Sequence, residues 1–203
     1  MLDFNRTNVY YRFMRLKDEN KNEAIFQATI QLLNEIGFSD ISMSKIAKRA
    51  KVSPSTIYVY FENKEDMLSK LYSNVKQKLS QKVLAGIEDS MPVKIAFEQV
   101  LRNQLEFIFS HKDEFLFLEQ FSNSPLIKNL CIEDHSWMFQ PLFDLVKRGR
   151  EQKLLKECDT MMLLVLTTAP ITDLAKMHFN GEFELNEKNI NDLIQMSWDA
   201  IKA

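Results

Sequence analysis

Between Ser42 and Phe61 the chain carries four basic side chains, Lys45, Lys48, Arg49 and Lys51, and no acidic one. Ser53, Ser55, Thr56, Tyr58 and Tyr60 add hydroxyl groups to the same stretch. Cations beside short hydroxyl donors suit phosphate oxygens, and the hydroxyls can also reach base edges. Bond-making chemistry is not suggested. The chain has no metal-ligand spacing, no nucleophile elbow and no carboxylate pair placed by a motif, so neither an enzyme nor a metal or other cofactor is expected. The two cysteines, Cys131 and Cys158, lack CxxC spacing and read as thiols in a reducing compartment.

The elements that must hold these groups are helical. Ile25, Ala28, Thr29, Leu32, Leu33 and Ile36 recur at i, i+3, i+4, i+7, i+8 and i+11, one stripe on a 3.6-residue period. Gly37 suits the residue that ends this first helix. Ser42 is a good N-cap for a second, short helix with Met43, Ile46, Ala47 and Ala50 facing inward. Ser53 and Pro54 suit the N-cap and first position of a third, which ends near Tyr60-Phe61. Asn63 caps a fourth, carrying Met67, Leu68, Leu71, Tyr72, Val75 and Leu79 on one face. Further helices are predicted over 92–110, 113–121, 132–151, 159–179 and 186–201. No sustained alternation and no hairpin turn is found, so the fold class is all-α with eight or nine helices. The second and third helices, joined by a tight turn, make a helix-turn-helix pattern, in which the later helix enters the DNA major groove. The residues alone also fit a small helical corner with a solvated basic face.

Composition sets the bounds. The chain has 203 residues, 45% of them hydrophobic and 27% charged, enough for a full core. Only 4 Gly and 5 Pro are present, which disfavours phosphate-binding glycine loops and turn-rich sandwiches. A net charge of −2 taken whole argues against nucleic acid. Residues 1–83, however, hold 14 basic and 9 acidic side chains, and residues 84–203 hold 12 and 19. The near-neutral total is a cancellation between a basic N-terminal part and an acidic remainder. The apolar run from Met161 to Thr172 contains Pro170 and is too short to span a bilayer. With no signal peptide pattern, no membrane partner and a cytoplasmic location are expected. Residues 1–19 show no clean period and read as an extension open to disorder: either upstream translation before Met14 or a basic arm reaching phosphates.

The stretch Ala24–Leu71 contains LLNEIGF, SMSKIAKRAKVS, STIYVYF and NKEDML in order. With this spacing it resembles the tetracycline-repressor (TetR) family of bacterial regulators. The resemblance implies a three-helix DNA-binding domain over residues 20–79, its helix-turn-helix at 42–61, and a ligand-sensing and dimerisation domain over 80–203. It implies phosphate contacts from Ser42, Lys45 and Lys64, and contacts to phosphate or bases from Ser53, Pro54, Ser55, Thr56, Tyr58 and Tyr60. Two positions depart from the family pattern, Lys51 and Ser55, where the family usually has Gly. A left-handed turn at Lys51 would cost roughly 1–2 kcal/mol. The third helix lacks the Arg or Gln that reads bases directly, which points to hydroxyl contacts, tyrosine packing and DNA shape.

Beyond Val83 the chain is rich in Phe and Met, which is ordinary for a core and also suits a cavity for an apolar or flat aromatic molecule. By resemblance, a small-molecule effector pocket would draw on Phe107, Phe117, Gln120, Phe121, Trp137, Phe139 and Met177, with Gln104, Asn123, His135 and His178 as further polar candidates. Ile190, Leu193, Ile194, Ser197, Trp198 and Ile201 mark one face of the last helix. With Met162, Leu166 and Leu174 of the helix before it, this face would form a four-helix homodimer interface, as in the family. The implied function is a homodimeric, ligand-responsive regulator, most simply a repressor on a palindromic double-stranded DNA operator. The rival classes are a helical interaction module and a small enzyme acting on an apolar substrate.

Overall fold

The computed structural model describes residues 4–122 and 136–203, and of residues 4–19 the backbone alone. Nine α-helices and one short 3-10 turn make up the described residues: α1 (Phe4–Asp40), α2 (Met43–Ala50), α3 (Pro54–Tyr60), α4 (Lys64–Val83), α5 (Val93–Ser110), α6 (Lys112–Ser122), the 3-10 turn Ser136–Phe139, α7 (Gln140–Glu151), α8 (Thr160–Phe179) and α9 (Glu187–Ile201). The helices fall where the apolar period and capping residues put them, with three differences. The backbone is helical from Phe4, well before the clean period begins. It leaves helical geometry at Gly37, with φ 72° and ψ 177°, before the few residues that complete α1. The segment before α7 closes into a 3-10 turn, and Asn123, Cys131 and His135 lie outside the described residues.

The chain divides into two compact units, with the boundary inside α4 between Asn74 and Val75. The first unit holds α1 to α3, the first half of α4 and, from α6, residues 116–122. Ile25, Leu33, Ile46, Ile57, Met67, Leu68 and Leu71 are fully buried in it, so α1, α2, α3 and α4 share one apolar centre. Such a small unit gains its stability from this shared burial rather than from helix propensity, since α2 and α3 are far too short to persist alone.

The second unit has its own core of Val83, Val93, Ala96, Phe97, Val100, Leu142, Leu145, Val146, Leu155, Leu163, Trp198 and Ile201. Asp159 and Asn186 cap α8 and α9 through their side chains, on the amides of Met161 and Asn189. An antiparallel bridge between Leu155 and Lys202 pins the end of α9 to the loop after α7. At the other end of this unit Asn103, buried in α5, donates to the carbonyls of Val83 at 3.0 Å and Ala85 at 2.8 Å. It therefore closes the carbonyl end of α4, which no intrahelical donor can satisfy. Among the described residues no helix is long and apolar enough to cross a membrane.

Candidate nucleic-acid interface

The first unit presents the helix-turn-helix through two serine caps. Ser42 is extended and its Oγ accepts from the Lys45 amide at 3.3 Å, opening α2. Ser53 is also extended; its Oγ accepts from the Thr56 amide at 3.1 Å, and Pro54 follows at the start of α3. Between the caps, Lys51 takes the left-handed conformation, φ 56° and ψ 40°. The Lys51 amide reaches the Lys48 carbonyl at 3.3 Å, and the Val52 amide reaches that of Ala47 at 3.0 Å. These two bonds are the 5→2 and 6→1 pair of a Schellman ending, whose left-handed residue is usually Gly. The tight turn is thus formed with a lysine where glycine is cheapest.

Burial then decides which side of α3 faces out. Ile57 is completely buried against the first unit's core, while Ser53, Pro54, Ser55, Tyr58 and Val59 are exposed and Thr56 and Tyr60 are half-buried. Ser53 Oγ lies 2.7 Å from Ser55 Oγ and 2.8 Å from Thr56 Oγ1. Two contacts among three hydroxyls use two hydrogens, so one O–H is left to donate outward, along with spare lone pairs. Tyr58, 57% exposed, and Val59, 78% exposed, stand on the same short helix. Val59 was given no role from the sequence, neither among the inward apolar residues nor among the hydroxyl-bearing ones. The missed signal was its position two residues after buried Ile57, on the opposite side of a 3.6-residue turn.

The cations are not equivalent. Arg49 makes a two-pronged contact with Glu35 of α1, at 2.8 and 2.6 Å. This fork holds the Glu35 carboxyl below its ordinary range, chiefly through the hydrogen bond, and raises Arg49 for the same reason. Lys45 Nζ donates to the Asp40 carbonyl at 2.7 Å, and Lys64 Nζ to that of Phe38 at 3.3 Å. Both keep their charge and further donors, now fixed in position. Asn63 Oδ1 accepts from the Asp66 amide at 2.8 Å, and Asp66 in turn accepts from the Glu62 amide and from Lys70. That ring of bonds sets where α4, and Lys64 at its start, leaves the turn. Burial of Asp66 acts to raise its carboxyl, but Lys70 and the Glu62 amide outweigh it and the net direction is down.

The residues expected at an effector pocket are distributed over both units. Phe117, Gln120 and Phe121 belong to the first, where Phe121 stacks on Tyr72 with centroids 4.8 Å apart and Gln120 donates to Asn34 at 3.3 Å. Burial pushes the Tyr72 phenol up, with Ser122 opposing. Phe107, Trp137, Phe139 and Met177 belong to the second. There Phe107 is fully buried and stacks on His111, Lys76 lies over the Phe139 ring, and Trp137 is 66% exposed. His178 Nδ1 faces the Leu185 amide at 3.3 Å. The residues expected at a dimer face also separate. Leu193, Ile194, Ser197, Trp198 and Ile201 are buried within their own protomer, Trp198 with its ring 6.2 Å from that of Phe97. Ile190 and Leu174 are half-buried. The stripe on α9 therefore serves the second unit's core. On α8 the exposed large apolar side chains are Met161, Met162, Val165 and Leu166 in its first two turns and Met177 near its end, and on α9 Met196.

Two capped helices around a tight turn, with cations and hydroxyls on the exposed edge, define a DNA-binding regulator of the helix-turn-helix class. The family model described as "Bacterial regulatory proteins, tetR family" matches residues 25–71, and "Tetracyclin repressor-like, C-terminal domain" matches residues 92–202. An uncharacterised HTH-type transcriptional regulator of Haemophilus influenzae is 27% identical over 191 residues, spanning 93% of this chain and 100% of its own length. A TetR family transcription regulator from Marinobacter aquaeolei shares the fold with a TM-score of 0.84 at 26% identity, over 93% of this chain and 98% of that one. A TetR-family transcriptional regulator from Haemophilus influenzae gives 0.77 at 26% identity, over 91% and 98%. The chain belongs to the TetR family of transcriptional regulators.

Proposed function

We propose that this regulator is a homodimeric repressor that binds a palindromic operator and is released by a small apolar or aromatic effector. The exposed edge of α3 carries the reading: one outward hydroxyl from the Ser53–Ser55–Thr56 cluster, the Tyr58 phenol and the Val59 methyls. Hydroxyls donate to phosphates or accept from bases, and a valine packs against a thymine methyl. With no long bidentate side chain on α3, discrimination comes from these short contacts and from DNA shape. Ser42, Lys45 and Lys64 fix the register on the backbone. Two copies are required because one α3 reads only a half-site. The exposed α8 row of Met161, Met162, Val165 and Leu166 favours pairing there, as burial of such a row is what drives association. The Phe- and Met-rich second unit favours an apolar effector. Effector binding would act through α4, which passes from one unit into the other. The working place is the cytoplasm, where bacterial DNA lies.

The test is selection from a random-sequence duplex pool, followed by binding of the recovered sequence across a salt series. A two-fold consensus is expected, bound with strong salt dependence. Tyr58→Ala and Lys64→Ala should weaken it while the mass in solution stays that of a dimer. Absence of any sequence-selective, salt-sensitive binding would overturn the reading. Binding to a protein without salt dependence would favour an interaction module instead.

A further inference from the structure

We infer that Lys51, with Lys48, is a DNA-phosphate contact of this chain, built into the turn between α2 and α3. The inference rests on DNA binding by the first unit and adds two residues that the family resemblance does not assign.

Lys51 is one of two non-glycine residues with positive φ among those described, and it sits in the turn on which the whole motif depends. A residue with a Cβ is disfavoured there, and Asn or Gly would meet the same geometry at lower cost. The two Schellman bonds of the backbone would form equally well with Gly or Asn, and the lysine side chain adds no polar contact of its own among the described residues. Lys51 is exposed, and among the described residues its ammonium makes no hydrogen bond or ion pair. Lys153, also exposed, takes the same φ of 56° in the second unit, so what sets Lys51 apart is its place in the helix-turn-helix, beside the Ser53 cap.

Arg49 is neutralised by Glu35, Lys45 and Lys64 are each tied to a backbone carbonyl, and Lys70 is paired with Asp66. Lys48 and Lys51 have no such partner among the described residues, and both are exposed. They lie three residues apart, at the end of α2 and in its cap, so the two charges share one corner of the motif. Lys51 is two residues before Ser53, which places its Cα within about 7 Å of the Cα of that cap. A flexible four-carbon stem can then carry the ammonium to the backbone flanking the bases met by α3. Each neutralised phosphate releases condensed counterions, so the pair contributes to affinity without contributing to sequence choice.

The experiment uses the full chain and a mixed-sequence 30-base-pair fluorescent duplex, with anisotropy titrations over a KCl series. Lys51→Gly should raise thermal stability, because it relieves the left-handed lysine, yet weaken DNA binding. Its slope of log K against log [KCl] should fall by about 0.9 for each protomer engaged. Lys48→Gln should do the same to the slope with little effect on stability, and Lys51→Arg should restore it. Lys188→Gln, an exposed lysine in the second unit, is the control for net charge. Slopes unchanged in Lys51→Gly and Lys48→Gln, or changed equally by Lys188→Gln, would overturn the inference and leave DNA binding standing. No salt-dependent binding by the unmodified protein would instead overturn the DNA-binding reading beneath it.

Discussion

Asn103 offers a sharp test of how α4 is held at its far end. Its amide donates to the Val83 and Ala85 carbonyls at 3.0 and 2.8 Å, and its Oδ1 accepts from Gln99 at 2.7 Å. Val83 is buried and its carbonyl has no water to fall back on, whereas Ala85 is exposed and can be rehydrated. Asn103→Leu keeps the side-chain bulk and removes both donors, at about 1 kcal/mol for each lost bond, hence about 2 kcal/mol. For a chain of this length that corresponds to a fall in Tm of about 4–8 °C, at fixed protomer concentration. Asn103→Asp is more telling. The new carboxylate would face two carbonyl oxygens in a buried place, so its pKa must rise above the ordinary ~3.9. Protonated, it can donate to one carbonyl; ionised, it repels both. A raised folded pKa means that the variant's deficit is smallest below the unfolded pKa and grows as pH rises through the folded one. Thermal and urea unfolding of the variant and the parent between pH 4 and 8 would measure this. A pH-independent deficit, together with an Asn103→Leu stability within 0.5 kcal/mol of the parent, would refute the capping role.

Three further outcomes are expected. A Cβ at Gly149 would lie 2.5 Å from Leu155 Cδ1 and 2.7 Å from its Cγ, and Leu155 is too buried to swing away. Gly149→Ala should therefore cost about 1–3 kcal/mol by overpacking despite its better helix propensity, and Leu155→Ala in the same chain should recover part of it in a thermal melt. Leu166→Glu on the exposed α8 row should halve the mass seen by light scattering while the helical circular dichroism is kept; an unchanged dimer would move the interface elsewhere. Glu35→Gln should steepen the salt dependence of binding to mixed-sequence DNA, because it leaves Arg49 unneutralised. In the parent, the lowered Glu35 carboxyl gives its contribution above the ordinary glutamate range and loses it as pH falls through the lowered value, so acid should mimic that variant in DNA titrations.

The helices were legible because their signals are local. Ser42, Ser53, Asn63, Asp159 and Asn186 each stand where a chain needs a side-chain oxygen for orphan amides, and all five make that bond within three residues. Gly37 was readable as a helix-ending glycine and has positive φ, whereas a left-handed Lys51 was implied only by the family resemblance. What the sequence did not disclose was which apolar face a long helix uses. On α9 one stripe runs from Ile190 to Ile201, and periodicity treats a protomer's own core and a partner's surface alike. Only the three-dimensional arrangement shows Trp198 and Ile201 in the same core as Phe97 and Leu145, while a row of exposed apolar side chains stands on α8. The aromatic residues of α6 were misleading in the same way: Phe117 and Phe121 lie in the first unit, while Phe115, two residues earlier, lies in the second with its ring 6.2 Å from Phe179.

Charge shows the same limit from the other side. Between Ser42 and Phe61 there is no acidic residue, and a window of that width reads as four free cations. The compensating carboxylate comes from Glu35, 14 residues before Arg49 and on a different helix. A net count over residues 1–83 includes both partners and so still predicts a positive unit, but it cannot say where the positive field emerges. Pairing removes Arg49 from the accounting and positions Lys45 and Lys64 against carbonyls without altering their charge. The mobile, uncompensated charge is then concentrated at Lys48 and Lys51, beside the turn. Salt-dependent attraction to DNA falls steeply beyond about one Debye length, ~10 Å at 0.1 M, so charge at that corner weighs more than the same charge spread along α4. In the proposed docking, the Lys51 charge and the neutralisation of Arg49 bear on one quantity, the positive potential at the turn of the helix-turn-helix, and they bear on it with opposite sign.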